Sequence, residues 1–337
     1  MRIRPLKTLP LRLRLKAEGR RNAFAERVAP WLDRHSSRDS KFESSGNSPD
    51  AFLELEIHPY ALVGHQVASW LHGYLWAQDL GLVYLGGRLS RDPLGLFNFS
   101  AVTDVPPAGK VKRVRLSWVA DERDPRSLRI LRSQVLRARR KYSGQTIIFR
   151  LPLDPARWNQ VPAEGVLRDA ILAGYKGDDF LASELDSDYI AIHIRRGVDI
   201  HQNHFSGKES VNRWVLEEWH AEIVKSLRSI KAFAHLEIRV YALGVPEDFP
   251  ILSKMGVSLR LNGDRDADLI ELASAKLLVL SPSSFSFTAA LASRSPILGR
   301  VPWWHHIPDT DRWVQISPSG EFDRERLENL VTRTVQK

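Results

Sequence analysis

Apolar and polar positions along the chain alternate between two periods, and the switch between them marks out strands and helices. Phe52 to Ile57 reads as a strand, and His65 to Leu80 has helical spacing, with Val67, Leu71, Tyr74, Leu75 and Gln78 available for one face. Leu82 to Leu85 is a short apolar strand closed by Gly86-Gly87. Strand, loop, helix and strand make a βαβ unit, which favours a parallel sheet. Val111 to Val119 then reads as a strand, Ser127 to Lys141 as an Arg-rich helix and Thr146 to Leu151 as a strand.

The second half repeats this logic. Strands are predicted at Asp188 to Ile194, His235 to Leu243, Val257 to Leu261, Lys276 to Leu280 and, last, Pro296 to Leu298. Helices are predicted at Asn212 to Ile230, Asp266 to Ala275 and Phe285 to Ala292. Two βα-rich halves predict an α/β protein with two Rossmann-like lobes facing a cleft, whose ligands bind beyond the carboxyl ends of the strands. The first 50 residues look peripheral: a strand-like Leu11 to Leu15, a helical Arg20 to Trp31 and a Ser/Asp/Gly/Pro-rich linker from Ser36 to Asp50. The expected boundaries are therefore an extension at 1–50, a first lobe at 51–175 and a second at 176–337. No repeat of 20–50 residues is visible.

Composition narrows the class. Of 337 residues, 43% are hydrophobic and 26% charged, which excludes disorder, collagen and disulfide scaffolds for the chain as a whole. There is no cysteine, so thiolate catalysis and cysteine–zinc sites are out. No apolar run is long enough to span a membrane, and the basic N-terminus lacks a signal peptide's apolar core, so a cytoplasmic location is expected.

The net charge of +9 is uneven. Residues 1–50 carry 12 basic and 6 acidic side chains, and residues 110–141 carry 12 basic and 3 acidic, leaving a slightly acidic remainder. Two basic segments suggest anionic partners, whether nucleotide phosphates, nucleic acid or an acidic membrane or glycolipid surface. A solvated charged face explains them equally well. Against nucleic acid, the segment has only Trp118 and Tyr142 to stack bases, and no recognition motif.

Candidate chemistry concentrates in the second half. In Tyr189-Ile190-Ala191-Ile192-His193-Ile194-Arg195-Arg196-Gly197, strand alternation puts the isoleucines on one face and His193 and Arg195 on the other. Arginine suits bidentate phosphate contact, although an ion pair with nearby carboxylates is the structural alternative. By alternation Arg195 is the better ligand, with Arg196 bracing the loop. The turn Ser281-Pro282-Ser283-Ser284-Phe285 opens a helix, which makes either an anion site or an ordinary N-cap. Asp264, Asp266 and Asp268 form overlapping Asp-x-Asp pairs that suit Mg²⁺ or Mn²⁺, or simply cap a helix. His201, His204, His305 and His306 lack a third ligand at useful spacing and read as polar surface histidines. Trp303 and Trp304 suit stacking on a sugar or packing in a core. GxGxxG, GxxxxGK[ST] and GxSxG are all absent.

Three pieces now stand in one order. His193-Ile194-Arg195-Arg196-Gly197 resembles the HxRR segment of the fucosyltransferases that share that motif: the α1,2-, α1,6- and protein-O-fucosyl enzymes, with the bacterial nodulation fucosyltransferases. Asp268 to Leu291 resembles their helix, strand and Ser/Thr-Phe turn, and Gly64-His65-Gln66 their turn after the first strand. The resemblance covers roughly residues 52–300 and implies the GT-B arrangement of two facing Rossmann-like lobes. It implies GDP-fucose as donor, a glycan or glycolipid hydroxyl as acceptor, inversion at the anomeric carbon and no metal or other cofactor. It implies that Arg195 holds the donor's β-phosphate and acts catalytically, that His193 contacts the diphosphate and that Asp268 reads the guanine edge. Ser283 and Ser284 would meet the phosphates, with Arg196, Phe285, Gly64, His65 and Gln66 completing the donor site. No general base is identifiable by pattern; Asp199 and Glu209 are candidates by nearness to the motif, and each also reads as a solvated loop carboxylate. The competing reading is a nucleic-acid- or acidic-surface-binding protein that uses residues 110–141.

Overall fold

The structure is a computed structural model that describes residues 51–92, 95–101, 103, 110–116, 124–151, 158–176, 187–196, 214–303, 305–310 and 312–334. The expectations for Leu11 to Leu15, Arg20 to Trp31, Ser36 to Asp50, Asp199, His201, His204, Glu209 and Trp304 lie outside these residues. The fold is α/β with two all-parallel sheets, in two compact units. The N-terminal unit gathers the described residues of Met1–Ala61, Ser69–Ser90 and Thr103–Trp158. The C-terminal unit gathers those of Leu62–Ala68, Arg91–Val102 and Asn159–Lys337.

In the N-terminal unit, β1 (Ala51–Leu55), β2 (Val83–Tyr84), β3 (Val111–Arg115) and β4 (Thr146–Leu151) form a sheet in the order β2-β1-β4-β3. The helix α1 (Val63–Leu80) precedes β2, and α2 (Pro125–Lys141) precedes β4. The expected apolar stripe on α1 is too narrow. Val67, Leu71 and Leu75 are buried, but so are Trp70, Trp76 and Ala77, while Gln78 is exposed and donates to Tyr74 at 2.8 Å. A helix apolar nearly all round is a buried helix. Gly73 lets Tyr84 lie against the helix, since a Cβ there would stand 2.3 Å from the Tyr84 hydroxyl.

The basic α2 starts on Asp124, whose carboxylate accepts the Arg126 N–H at 3.0 Å, and buries Ile130, Leu131, Val135 and Ala138. Many of its cations are occupied within the unit. Arg132 donates to the Asp79 carbonyl at 3.0 Å and Arg139 to the Gly81 carbonyl at 3.4 Å, both at the end of α1, where cations are favoured. Arg126 pairs with Asp124 at 2.8 Å, and Lys112 and Lys141 lie over the Tyr142 ring at 4.7 and 5.4 Å. On the neighbouring strands, Arg150 meets its cross-strand partner Glu54 at 2.6 Å.

The C-terminal unit holds β5 (Tyr189–Ile194), β6 (Glu237–Ala242), β7 (Ser258–Leu261), β8 (Leu277–Val279), β9 (Ile297–Arg300) and β10 (Trp313–Ile316) in the order β10-β9-β8-β5-β6-β7. Read from β7, this is the 3-2-1-4-5-6 order of a dinucleotide-binding sheet, with its switch point between β5 and β8. One face is covered by α4 (Glu217–Arg228), α5 (Pro250–Ser253) and α8 (Arg324–Thr334), packed on Ile190, Ile192, Ile194, Val240, Val279, Leu298 and Val314. The helices α6 (Arg265–Ser274) and α7 (Ser284–Ala292) lie outside that cluster and pack on each other. An earlier helix, α3 (Glu164–Gly174), packs on α7, and its buried Arg168 donates to the Ala292 carbonyl at 2.8 Å.

Strand and helix placements agree with the sequence to within a few residues, with four exceptions, one of them the four-residue α5, which the pattern does not predict. The last strand is β10, not Pro296 to Leu298, and α8 follows it. The pattern also passes over α3. Finally, α4 begins at Glu217, five residues later than expected.

Candidate active site

The site grows from the end of β5. Ile190, Ile192 and Ile194 are buried on the α4 side, so alternation turns His193 and Arg195 to the α6–α7 side, both half-buried. β8 runs beside β5, and Ser281 to Ser283 follow it directly. The two strand ends are joined by their side chains. His193 Nδ1 lies 2.7 Å from Ser281 Oγ, and Arg195 Nη1 donates to Ser283 Oγ at 3.2 Å. The guanidinium therefore stands at the switch point.

The serine turn is held in two ways. Ser283 is the N-cap of α7, accepting the Phe285 N–H at 3.3 Å, and Ser286 Oγ donates to the Ser281 and Ser283 carbonyls at 3.2 Å each. Capping and anion binding are not exclusive here, because a first helical turn has more N–H groups than one serine satisfies. Ser284 is half-buried, and its hydroxyl lies 3.2 Å from His305 Nε2.

His305 corrects an expectation. It is not a surface histidine: it is 2% exposed and stacks on Phe287 with centroids 4.2 Å apart. Trp303 meets the same ring edge-on at 4.5 Å, so this tryptophan belongs to an aromatic cluster behind α7.

Gly64 joins the same site through its backbone. A Cβ at residue 64 would stand 2.6 Å from the Phe285 nitrogen, so only glycine allows this approach of the α1 start to the α7 start. Gln66 is a correction to the expected donor contacts. It is wholly buried, and its Oε1 accepts the Arg91 N–H at 3.0 Å, which makes it a fold residue. His65 is half-buried beside it. Phe285 tilts against His193 at 5.7 Å.

Arg196 faces the other way. Its Nη1 donates to the Arg195 and Val215 carbonyls at 3.0 and 3.1 Å, and the guanidinium lies 4.1 Å over the Trp214 ring. It ties Val215 to the end of β5, which is the bracing role that strand alternation assigns to it.

Asp268 lies in the first turn of α6, which opens at the carboxyl end of β7. The backbone of Gly263 comes so close that a Cβ there would stand 2.4 Å from the carboxylate. Burial, then Glu271 and Asp264, push its pKa up to about 6. Asp264 caps α6, accepting the Asp266 and Ala267 N–H groups at 3.0 Å each, and Asp266 pairs with Arg265. Both carboxylates are engaged as helix-start groups. Beneath them, Tyr241 donates to Glu271 at 2.5 Å and Tyr189 to the Glu271 carbonyl at 2.7 Å.

Electrostatically the site is a neutral imidazole among cations. Burial, and then Arg195, lower the His193 pKa to about 3. His220, in the first turn of α4, is lowered to about 3 by burial and then by Arg196, His193 and Arg300. His220 and Arg300 carried no motif in the sequence. Only the sheet order and the helix packing bring them to this edge.

No protein-family model matches the chain, and no curated protein matches it. Among solved structures the chain is similar to POFUT1 in complex with GDP, at 12% identity and a TM-score of 0.46, over 75% of this chain and 98% of that one. POFUT1 in complex with GDP-fucose gives 12% identity and a TM-score of 0.47, over 75% and 98%. The E. coli heptosyltransferase WaaC with ADP gives 14% identity and a TM-score of 0.35, over 85% of this chain and 97% of that one.

Proposed function

We propose that this protein is an inverting glycosyltransferase that moves L-fucose from GDP-fucose to a hydroxyl of a glycan acceptor. The observation that carries the reading is Arg195, half-buried at the β5–β8 switch point and hydrogen-bonded to the serine that opens α7. A sheet of this order takes its ligand at that point, and a guanidinium beside a helix N-terminus suits a diphosphate. The HxRR resemblance of His193 to Arg196 supports GDP-fucose in particular.

In this mechanism the acceptor hydroxyl attacks the anomeric carbon of fucose while the bond to the β-phosphate oxygen breaks. Negative charge grows on GDP, and Arg195, Ser283 and the first N–H groups of α7 meet it as it forms. Donors fixed before the reaction need no reorganisation during it. His193, neutral because it is buried, offers a ring nitrogen rather than a second charge. Asp268 as a carboxylate accepts from the guanine edge, which requires a pH above its own pKa of about 6. The acceptor's proton passes to a base outside these groups, and no metal is assigned a role.

A thermal-shift comparison of GDP, GDP-fucose, UDP-sugars and short DNA tests the reading, because a ligand specific to the folded state raises its stability. Selective stabilisation by the guanine nucleotides is the expected result. Stabilisation by DNA alone would favour the basic segment at 110–141 as the working surface, although Arg126, Arg132 and Arg139 already have partners within their own unit.

A further inference from the structure

One buried side chain of the C-terminal unit touches the serine turn from behind and has no part in the reaction above. His305 is 2% exposed, and its Nε2 lies 3.2 Å from Ser284 Oγ. Its ring is held on two sides. Phe287 stacks on it at 4.2 Å and 10°, and Trp303 meets it edge-on at 4.5 Å and 69°. Phe287 in turn leans on Trp313 of β10, 5.8 Å away. A phenylalanine at 305 would fill such an aromatic pocket without burying a polar ring. An imidazole costs free energy there unless it is hydrogen-bonded, so the bond to Ser284 is part of what a histidine adds.

Ser284 is the serine of this turn that a ligand can reach. Ser281, Ser283 and Ser286 are at most 2% exposed, whereas Ser284 is half-buried. Its main chain is fixed. The Ser284 carbonyl accepts from Thr288 Oγ1 at 2.8 Å, and a Cβ at residue 64 would stand 2.8 Å from the carbonyl carbon. What is left to set is the direction of the hydroxyl hydrogen.

A hydroxyl has one hydrogen to give and two lone pairs to receive with. If Ser284 donated to His305, its lone pairs would turn toward the site and repel a diphosphate. If His305 donates from Nε2, the hydroxyl hydrogen is left for a phosphate oxygen, and a bond to a charged oxygen is the stronger kind.

We propose that His305, with its hydrogen on Nε2, is a positioning residue that aims the Ser284 hydroxyl at the diphosphate of the donor. It touches neither donor nor acceptor and acts through the serine alone. The inference rests on the GDP-sugar reading of this site.

Calorimetric titration of GDP into the parent and four variants tests it. His305→Phe keeps the aromatic packing and loses the N–H, and should weaken GDP binding about tenfold, the scale of one lost hydrogen bond to a charged group. His305→Gln retains an N–H donor and should stay within about threefold of the parent. Ser284→Ala should cost about as much as His305→Phe, and the double variant no more than either, because the two groups act as one. Nitrogen NMR of the parent, which needs no variant to fold, should find the His305 hydrogen on Nε2. The role is overturned if His305→Phe binds GDP like the parent, if His305→Gln is as weak as His305→Phe, if the two single losses multiply, or if Nε2 carries no hydrogen. Should the parent itself fail to bind GDP, the donor reading falls and takes this role with it, a result distinct from each of those.

Discussion

The N-terminal unit carries the denser positive charge, yet the C-terminal unit carries the charge that is placed to act. In α2, Arg132 and Arg139 serve the carbonyls that end α1 and Arg126 serves Asp124, while Lys141 and, from β3, Lys112 lie over one tyrosine ring. In the C-terminal sheet, one strand end presents Arg195 to a serine turn at the point where strand order reverses. The difference teaches that counting charges locates a surface, whereas asking what each charge touches locates a site.

The largest effect expected from breaking this contrast is in turnover. Arg195→Ala should lower the transfer rate by about 10²–10³ with the fold intact, as for loss of one preorganised donor. Arg137→Ala on exposed α2 should leave the rate within about threefold. Steady-state kinetics with GDP-fucose, beside circular dichroism, checks both, and equal losses would erase the distinction between the units.

A smaller effect concerns how the site is framed. Gly64→Ala forces a methyl group against the Phe285 backbone, and overpacking of this kind costs about 1–3 kcal/mol. Urea unfolding should register that loss, and a GDP titration a weaker site. Gly165→Ala is the control, because nothing lies within 4 Å of a Cβ there.

Acid should expose the buried histidines. His220 has a folded pKa of about 3 against the ordinary 6.5, so the unfolded chain binds a proton that the folded one refuses. Stability from this source is complete above about pH 6.5 and is lost as the pH falls, by about 2 kcal/mol at pH 5. His193 acts in the same direction. Urea midpoints between pH 7 and 5 should therefore decline, less steeply in His220→Leu.

The gentlest test uses Asp268, whose pKa is raised to about 6. GDP affinity should fall as the pH drops below that value, and Asp268→Asn should bind GDP weakly at every pH with the dependence gone. A parent protein whose GDP affinity is flat from pH 7.5 to 5 would remove Asp268 from base recognition.

Much of this was legible in the chain itself. The isoleucines of β5 pack in the core and send His193 and Arg195 the other way, because alternation is a local property of the backbone. Gly64, His193, Arg195, Ser283 and Phe285, far apart in sequence, do meet in one unit. Gln66 was grouped with the donor contacts because nothing local distinguishes a side chain aimed at ligand from one aimed at an N–H, whereas Arg196 braces the backbone as strand alternation led one to expect. The helix α3 was missed since Pro162, Gly165 and Gly174 punctuate a short segment whose apolar residues find their partner on distant α7.

The make-up of the C-terminal unit has a practical corollary for anyone cutting the gene. That unit includes residues 62–68 and 91–102 as well as everything from 159 onward. A fragment expressed from residue 159 would therefore lack the loop around Gly64 that abuts the serine helix, and the Asp92 carboxylate that Arg265 grips. A fragment that keeps this unit whole must be spliced from three stretches of polypeptide rather than trimmed at a single point.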